Sequence, residues 1–307
     1  MRAASALFIA VAGCTERTEP PAAPMTIYAA GSLARPLRAA LDSIAASGGP
    51  RVRMEVMGSR EIIRAVVSLG KTPDIIVSAD ADELEKKMIP SFVTTSTTFA
   101  RNRIVLALSA RSPRVATITT ANWFDVASGG TIRIARADPA RSPLGYRTEI
   151  VWKLVESSLQ RPGLSAKLAA SSPESLLRGN ESDLAALLTT GDADAAWCYE
   201  SLAKSLGIKY VLLGDRVDLG SDADTVSYVK AVVRIAGDRP GDSIVVAGSP
   251  IRYAIAVVAN GPDVISATVL RERLLDSTSA RVMRRAGLDV LNTPKVTTLA
   301  MKLNLRQ

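Results

Sequence analysis

Histidine is absent from all 307 residues. That removes the imidazole on which Ser-His-Asp and Cys-His nucleophilic catalysis rests, and it removes histidine-based metal sites. Cysteine is nearly absent too: the chain has 2, Cys14 and Cys198, too few for a disulfide framework. Aromatic residues make up 4% of the chain, which argues against the stacking platforms that hold single-stranded nucleic acid. No Walker-type loop or dinucleotide fingerprint occurs, and no stretch is long enough for a membrane-spanning helix. Carboxylates are plentiful, but no spacing marks an acid–base pair. Gly241-Asp242-Ser243 lacks a base and reads as a turn. Cys198 has no neighbouring base in sequence and reads as a buried structural thiol rather than a nucleophile. These absences point away from an enzyme and from any bound metal or cofactor.

What is present is an ordinary globular composition, 47% hydrophobic and 22% charged, on a chain long enough for one large core or two modest domains. The formal charge of +8 is spread among apolar and acidic residues rather than gathered in a run. A solvated basic surface follows, not a nucleic-acid groove, and its positive field would help to recruit a dilute anion.

The chain begins Met1-Arg2-Ala3-Ala4-Ser5-Ala6-Leu7-Phe8-Ile9-Ala10-Val11-Ala12-Gly13-Cys14. A short apolar run ending in small residues has the shape of a secretory signal. Val11-Ala12-Gly13-Cys14 resembles a bacterial lipobox, which implies removal of the leader and lipidation of Cys14. The other reading is a disordered N-terminus with an incidental cysteine. Residues 15–24, polar with three prolines, read as a flexible tether. A lipidated Cys14 leaves Cys198 without a partner, so no disulfide is expected. The protein would be exported and held on the outer face of the cytoplasmic membrane.

Apolar periodicity predicts strands at residues 26–30, 51–57 and 74–78, alternating with helices at 33–46, 60–69 and from 81. That βαβαβ rhythm implies a parallel sheet covered on both faces. Strong strands at 103–109 and 252–259 bracket a second α/β unit with strands at 132–135, 195–199 and 209–213. Helices at 263–276 and 279–286 would return to the first unit. Two lobes with two chain crossings follow, residues 25–106 with 260–307 and residues 107–259, with a ligand cleft between them at strand ends and helix starts.

Two corners stand out, Gly31-Ser32 and Gly58-Ser59, each between a strand and a helix. Serine there is expected to be a helix N-cap. Free N–H groups at helix starts favour negative charge, and two such corners on one sheet can converge on a small anion.

The segments Ala29-Ala30-Gly31-Ser32-Leu33, Gly58-Ser59, Pro73-Asp74-Ile75-Ile76-Val77-Ser78-Ala79-Asp80, Phe99-Ala100-Arg101-Asn102-Arg103, Gly145-Tyr146-Arg147 and Trp197-Cys198-Tyr199-Glu200 form a recognisable set. With them the chain resembles the archaeal-type tungstate/molybdate-binding proteins of ABC importers, and more distantly the bacterial periplasmic molybdate-binding proteins. The resemblance implies a type II periplasmic-binding fold, α/β, with two lobes, each a mostly parallel sheet flanked by helices. It also implies a monomer that closes on molybdate or tungstate and delivers it to a membrane permease. By the same resemblance, Ser32 and Ser59 hold anion oxygens by hydroxyl and N–H, Leu144 donates from its backbone, and Tyr199 donates its hydroxyl. Archaeal-type members carry two carboxylates that expand the metal to six-coordinate. Here those positions are Ser142 and Cys198, with Asp138 and Glu200 displaced, so four-coordinate binding by hydrogen bonds alone is expected. Sulfate or phosphate obeys the same physics, and a sensory lipoprotein of the same fold is the other reading.

Overall fold

The structure, a computed structural model, describes residues 23–237 and 241–300. Cys14, the lipobox and residues 15–22 of the expected tether lie outside the described residues.

The first strand, β1 (Met25–Ala30), ends in one 3-10 turn, Gly31–Leu33, that runs directly into α1 (Ala34–Ala46). β2 (Val52–Met57) leads into α2 (Ser59–Val67), and β3 (Ile75–Ser78) into α3 (Ala81–Met88). β1 pairs in parallel with both β2 and β3, so all three strands deliver their helices to one edge. The faces of this sheet are apolar in alternation. Ile27 and Ala29 pack with Leu37, Ala40 and Ile44 of α1, while Tyr28 and Ile76 pack with Ile62, Ile63, Leu84 and Met88 of α2 and α3. A sheet covered on both faces in this way explains the continuous apolar run Ile75-Ile76-Val77.

β4 (Thr95–Asn102) and β5 (Ile104–Leu108) are separated by Arg103 alone, yet belong to different sheets. After them come α4 (Trp123–Ser128), β6 (Ile134–Ala137), α5 (Pro143–Leu159), α6 (Leu164–Ala170), β7 (Leu177–Arg178) and α7 (Glu181–Thr190). β8 (Ala195–Tyr199), α8 (Glu200–Leu206), β9 (Tyr210–Leu212) and α9 (Thr225–Tyr228) follow. β10 (Val232–Ala236) and β11 (Ser243–Ala247) pair antiparallel as a separate ribbon. The chain closes with β12 (Ile251–Val257), α10 (Val264–Leu275), α11 (Ser277–Arg285) and β13 (Asp289–Thr298).

Two mixed sheets result, a six-stranded one ordered β13-β4-β12-β3-β1-β2 and a five-stranded one ordered β7-β6-β8-β5-β9. Parallel pairing holds on the β1, β2, β3 side and for β6 with β7 and β8. The strands nearest the crossings, β4, β5 and β12, pair antiparallel, so both sheets are mixed, with most of their strands still running in one direction. β12 lies inside the six-stranded sheet between β3 and β4, although the sequence boundaries put it with the second lobe; β5 moves the other way. The chain therefore changes sheets at Arg103 and just before Ile251. β12 suits an interior position because Ala254, Ile255 and Ala256 are buried on both of its faces. Among the described residues no helix is long and apolar enough to cross a membrane.

Candidate functional site

Four helix beginnings meet where the two sheets face each other. A small cavity is lined by Gly31 after β1, Gly58 and Ser59 at the start of α2, Ser142 and Pro143 at the start of α5, and Asn180 and Glu181 at the start of α7. Its volume is about 10 Å³, close to the room one water needs, so the lobes are drawn together over it. Helix starts present unpaired N–H groups and the positive end of the backbone dipole, so their convergence favours an anion.

Neither of the two expected serine caps is one. The cap of α2 is Gly58, and Ser59 is its first helical residue; Ser32 lies inside the 3-10 turn, whose cap is Ala30. The reason is that both hydroxyls are occupied across the fold rather than along the chain. Ser59 Oγ accepts from Ala79 N at 2.9 Å, and Ser32 Oγ accepts from Tyr253 Oη at 3.0 Å. Tyr253 in turn accepts from Asn102 Nδ2 at 2.5 Å, which gives the asparagine of Phe-Ala-Arg-Asn-Arg a positioning role. Ser142 does cap its helix, accepting from Leu144 N at 3.3 Å, so the Leu144 amide serves Ser142 here. Tyr199 Oη accepts from Arg147 Nη1 at 2.8 Å. Each hydroxyl thus receives a hydrogen bond from behind, which leaves its own proton for another acceptor. Burial pushes the Tyr199 phenol up, keeping it a neutral donor.

The expected residues are brought together in two groups. Ser59 and Ser142 line the cavity itself. Ser32 hydrogen-bonds the carboxyl of Glu181, whose charge also acts on Cys198 and Tyr199. Leu144 is buried beside Ser142. The Cys198 thiol is buried and pushed up by desolvation, then by the charge of Glu181, so it is inert. Asp138 and Glu200 are engaged elsewhere. Asp138 Oδ1 accepts from Ala140 N at 2.8 Å, and Glu200 Oε1 accepts from Tyr210 Oη at 3.0 Å.

Glu181 is the residue that the candidate set left out. The residue is 4% exposed. Its oxygen Oε2 is buried with no hydrogen-bond partner. Desolvation raises its pKa to about 8, against the opposing pull of the Ser32 hydroxyl and amide and of Arg147. The signal in the sequence was Asn180, whose side chain accepts from Asp183 N at 3.0 Å and so starts α7 one residue before Glu181.

The lobes are clasped around this site. Tyr146 donates to Asp80, and Arg147 Nη1 donates to the Ala79 carbonyl at 2.6 Å while Nη2 lies 3.5 Å from Asp80 Oδ2. These contacts account for Gly145-Tyr146-Arg147, whose side chains reach from α5 to the end of β3. At the rim, Arg141 Nε donates to Glu61 Oε1 at 2.7 Å, and Glu61 Oε2 accepts from Gly58 N at 3.1 Å. The Arg141–Glu61 pair is solvated and adds little stability. Among the described residues no group of three or more His, Cys, Asp or Glu side chains is placed to hold a metal ion.

The sequence pattern of bacterial extracellular solute-binding proteins matches residues 25–289. An uncharacterized solute-binding protein of Petrotoga mobilis is 31% identical, over 94% of this chain and 90% of its own. A putative ABC transporter molybdenum-binding protein of Haloferax volcanii is 34% identical, over 80% of this chain and 75% of its own. Among solved structures, the periplasmic molybdate-binding protein of Azotobacter vinelandii superposes with a TM-score of 0.64 at 16% identity, covering 88% of this chain and 100% of that one. That likeness shows the fold, the two-lobed type II arrangement of periplasmic binding proteins.

Proposed function

The chain belongs to the family of bacterial extracellular solute-binding proteins, and we propose that its solute is a tetrahedral oxyanion, molybdate or tungstate, captured by a monomer for an ABC importer. One observation carries this reading: one hydroxyl from each lobe, Ser59 and Ser142, lines a meeting point of four helix starts, and each already accepts a hydrogen bond, which leaves its proton to donate. Neutral donors of this kind hold a dianion without a cationic side chain, and exclusion of water strengthens each of them. The Haloferax volcanii relative's description supports the same ligand class. A tetrahedral anion is larger than the cavity, so ligand-bound closure stops short of the closure seen here.

Thermal melting tests the reading. A ligand that binds only the folded protein stabilises it by RT ln(1 + [L]/Kd), about 4 kcal/mol at a thousand-fold excess over Kd. Molybdate and tungstate are expected to raise the melting temperature by several degrees at micromolar concentration. No shift with these anions, in protein freed of prebound ligand, would contradict the proposal. Shifts with sulfate or phosphate alone would move the ligand within the same class.

The anion is held four-coordinate, since Ser142 and Cys198 supply no carboxylate. X-ray absorption on the tungstate complex is expected to show four short metal–oxygen distances; two additional oxygen neighbours would mean that Asp138, Glu181 or Glu200 reaches the metal, and of these Glu181 lines the cavity. Cys14 anchors the protein through lipid to the outer face of the membrane, and residues 15–24 give it reach toward the permease. Wild type is expected to partition into detergent and Cys14→Ser into the aqueous phase. Equal partitioning would reject the anchor and leave a secreted protein.

A further inference from the structure

We propose that the far end of α5, the loop at Arg216 and the segment joining α9 to β10 form an anionic-lipid pocket: it takes the phosphodiester headgroup of an anionic phospholipid, and the second lobe rests on the bilayer through it. The inference stands apart from the oxyanion reading and uses none of the residues of that site.

The pocket has a volume of about 450 Å³, within the range of sites that enclose a small ligand. Three cations, Lys153, Arg216 and Lys230, and three serines, Ser157, Ser158 and Ser227, line it, and its walls contain no Asp or Glu. Lys153 and Ser157 stand one turn apart on α5, so both project to the same side of the helix. Lys153 Nζ donates to the Val232 carbonyl at 2.6 Å, which fixes the ammonium at the pocket and leaves it further protons to give. Among the described residues, Arg216 and Lys230 have no ion pair, and the three serine hydroxyls donate to no protein acceptor. The acids near them in sequence are engaged elsewhere. Asp215 pairs with Arg103 at 3.1 Å, Glu149 pairs with Arg136 at 3.2 Å, and Glu156 Oε2 accepts from Ser165 N at 2.7 Å. Like charges gathered without a counter-charge repel one another. A phosphate removes that repulsion, and its oxygens accept from cations and hydroxyls together.

The rim of the pocket selects a lipid over a free phosphate ester. Val232 is exposed, and register places it with Arg234 and Val245 on the outer face of the β10–β11 ribbon, which belongs to neither main sheet. Val245 is 60% exposed there, and Val226 on α9 is 72% exposed. A soluble ester gains nothing from exposed valines, whereas a bilayer buries them at its interface. The formal charge of +8 draws the chain toward an anionic surface at longer range. The first residues of α5 line the candidate anion site and its last turns line this pocket, so roughly 15–20 Å of helix separates the two.

Co-sedimentation of the full chain with vesicles tests the proposal. Cys14→Ser removes the acyl anchor, and it is kept in every variant, so any contribution of residues 1–14 is common to all. The chain is expected to sediment with phosphatidylcholine vesicles that contain phosphatidylglycerol, to stay in solution with phosphatidylcholine alone, and to be released by added salt. Arg216→Gln combined with Lys230→Gln is expected to weaken partitioning roughly thirtyfold, and Lys153→Gln added to these more than about a hundredfold. The double variant breaks no hydrogen bond or ion pair among the described residues, so its melting temperature and its molybdate affinity are expected to match the parent. Val226→Ser with Val245→Ser is expected to weaken vesicle partitioning as well. No sedimentation with the anionic vesicles, or sedimentation that the double and triple variants leave unchanged, overturns the proposal. Binding of soluble glycerol phosphate by the pocket without vesicle binding also overturns it, and reassigns the pocket to a free phosphate ester. Absence of molybdate binding throughout touches the oxyanion reading alone.

Discussion

Gly58→Val is expected to weaken anion binding by two orders of magnitude or more while the ligand-free protein stays folded. A Cβ on Gly58 would lie 2.2 Å from the Arg141 carbonyl oxygen, which is backbone on the opposite lobe and not a side chain that can swing aside. Gly58 itself has φ −67° and ψ 146°, a conformation any residue adopts, so the substitution strains nothing within its own lobe. The clash exists only when the lobes approach. Overpacking costs about 1–3 kcal/mol in a core that can relax, and here the cost falls on the closed state alone. Valine methyls extend past the Cβ, so the clash survives a closure that stops an ångström or two earlier. An unchanged melting temperature without ligand, combined with lost stabilisation by molybdate, is the expected result. Normal affinity would mean that the anion binds without bringing Gly58 to the Arg141 loop.

Ser59→Ala and Ser32→Ala are each expected to weaken binding by about 1–3 kcal/mol, roughly five- to hundred-fold in Kd. Each removes one hydroxyl proton from the anion and leaves the backbone amide. Each also strips a buried donor of its acceptor, Ala79 N in the first case and the Tyr253 hydroxyl in the second. The melting temperature should therefore fall by a few degrees, and affinity has to be compared at a temperature where both variants are folded. Ser59 lines the cavity directly, whereas Ser32 hydrogen-bonds Glu181 on its wall, so Ser59→Ala is expected to have the larger effect. Affinities equal to wild type in both would place the site elsewhere.

The first half of the six-stranded sheet was legible because each strand and helix there follows one rule at a time. Ile75-Ile76-Val77 is apolar on both faces, and Leu37, Leu41 and Ile44 keep helical spacing. β13 was not legible: Asn292 and Pro294 interrupt its alternation, and its pairing with β4 shifts register between Val290 and Lys295. β10 and β11 alternate, with Val233 and Ile235 buried between exposed Val232 and Arg234, but each spans only five residues, and together they form a ribbon apart from the two main sheets, so they received no place in the expected strand order. The sheet membership of β5 and β12 depends on where the chain crosses, which local periodicity does not encode.

The site was legible at its glycine-serine corners and misread in its chemistry. Ser32 and Ser59 are where a corner serine belongs, yet their hydroxyls answer to Tyr253 and Ala79, more than a hundred and about twenty residues away in sequence respectively. Glu181 stayed outside the candidate set because no local pattern sets it apart from the other carboxylates; only the fold shows it buried on the cavity wall. Arg147 stood in the sequence only as part of the segment Gly145-Tyr146-Arg147, with no role of its own; the fold makes it a clasp between α5 and the end of β3.

Titration calorimetry of ligand-free protein at pH 7 with molybdate, tungstate, sulfate and phosphate tests the central claim most directly. The account predicts one anion per chain, a dissociation constant below micromolar for molybdate or tungstate, which is more than about 8 kcal/mol, and weaker binding by Ser59→Ala. Absence of heat from all four anions, or binding that Ser59→Ala and Gly58→Val leave unchanged, would contradict it.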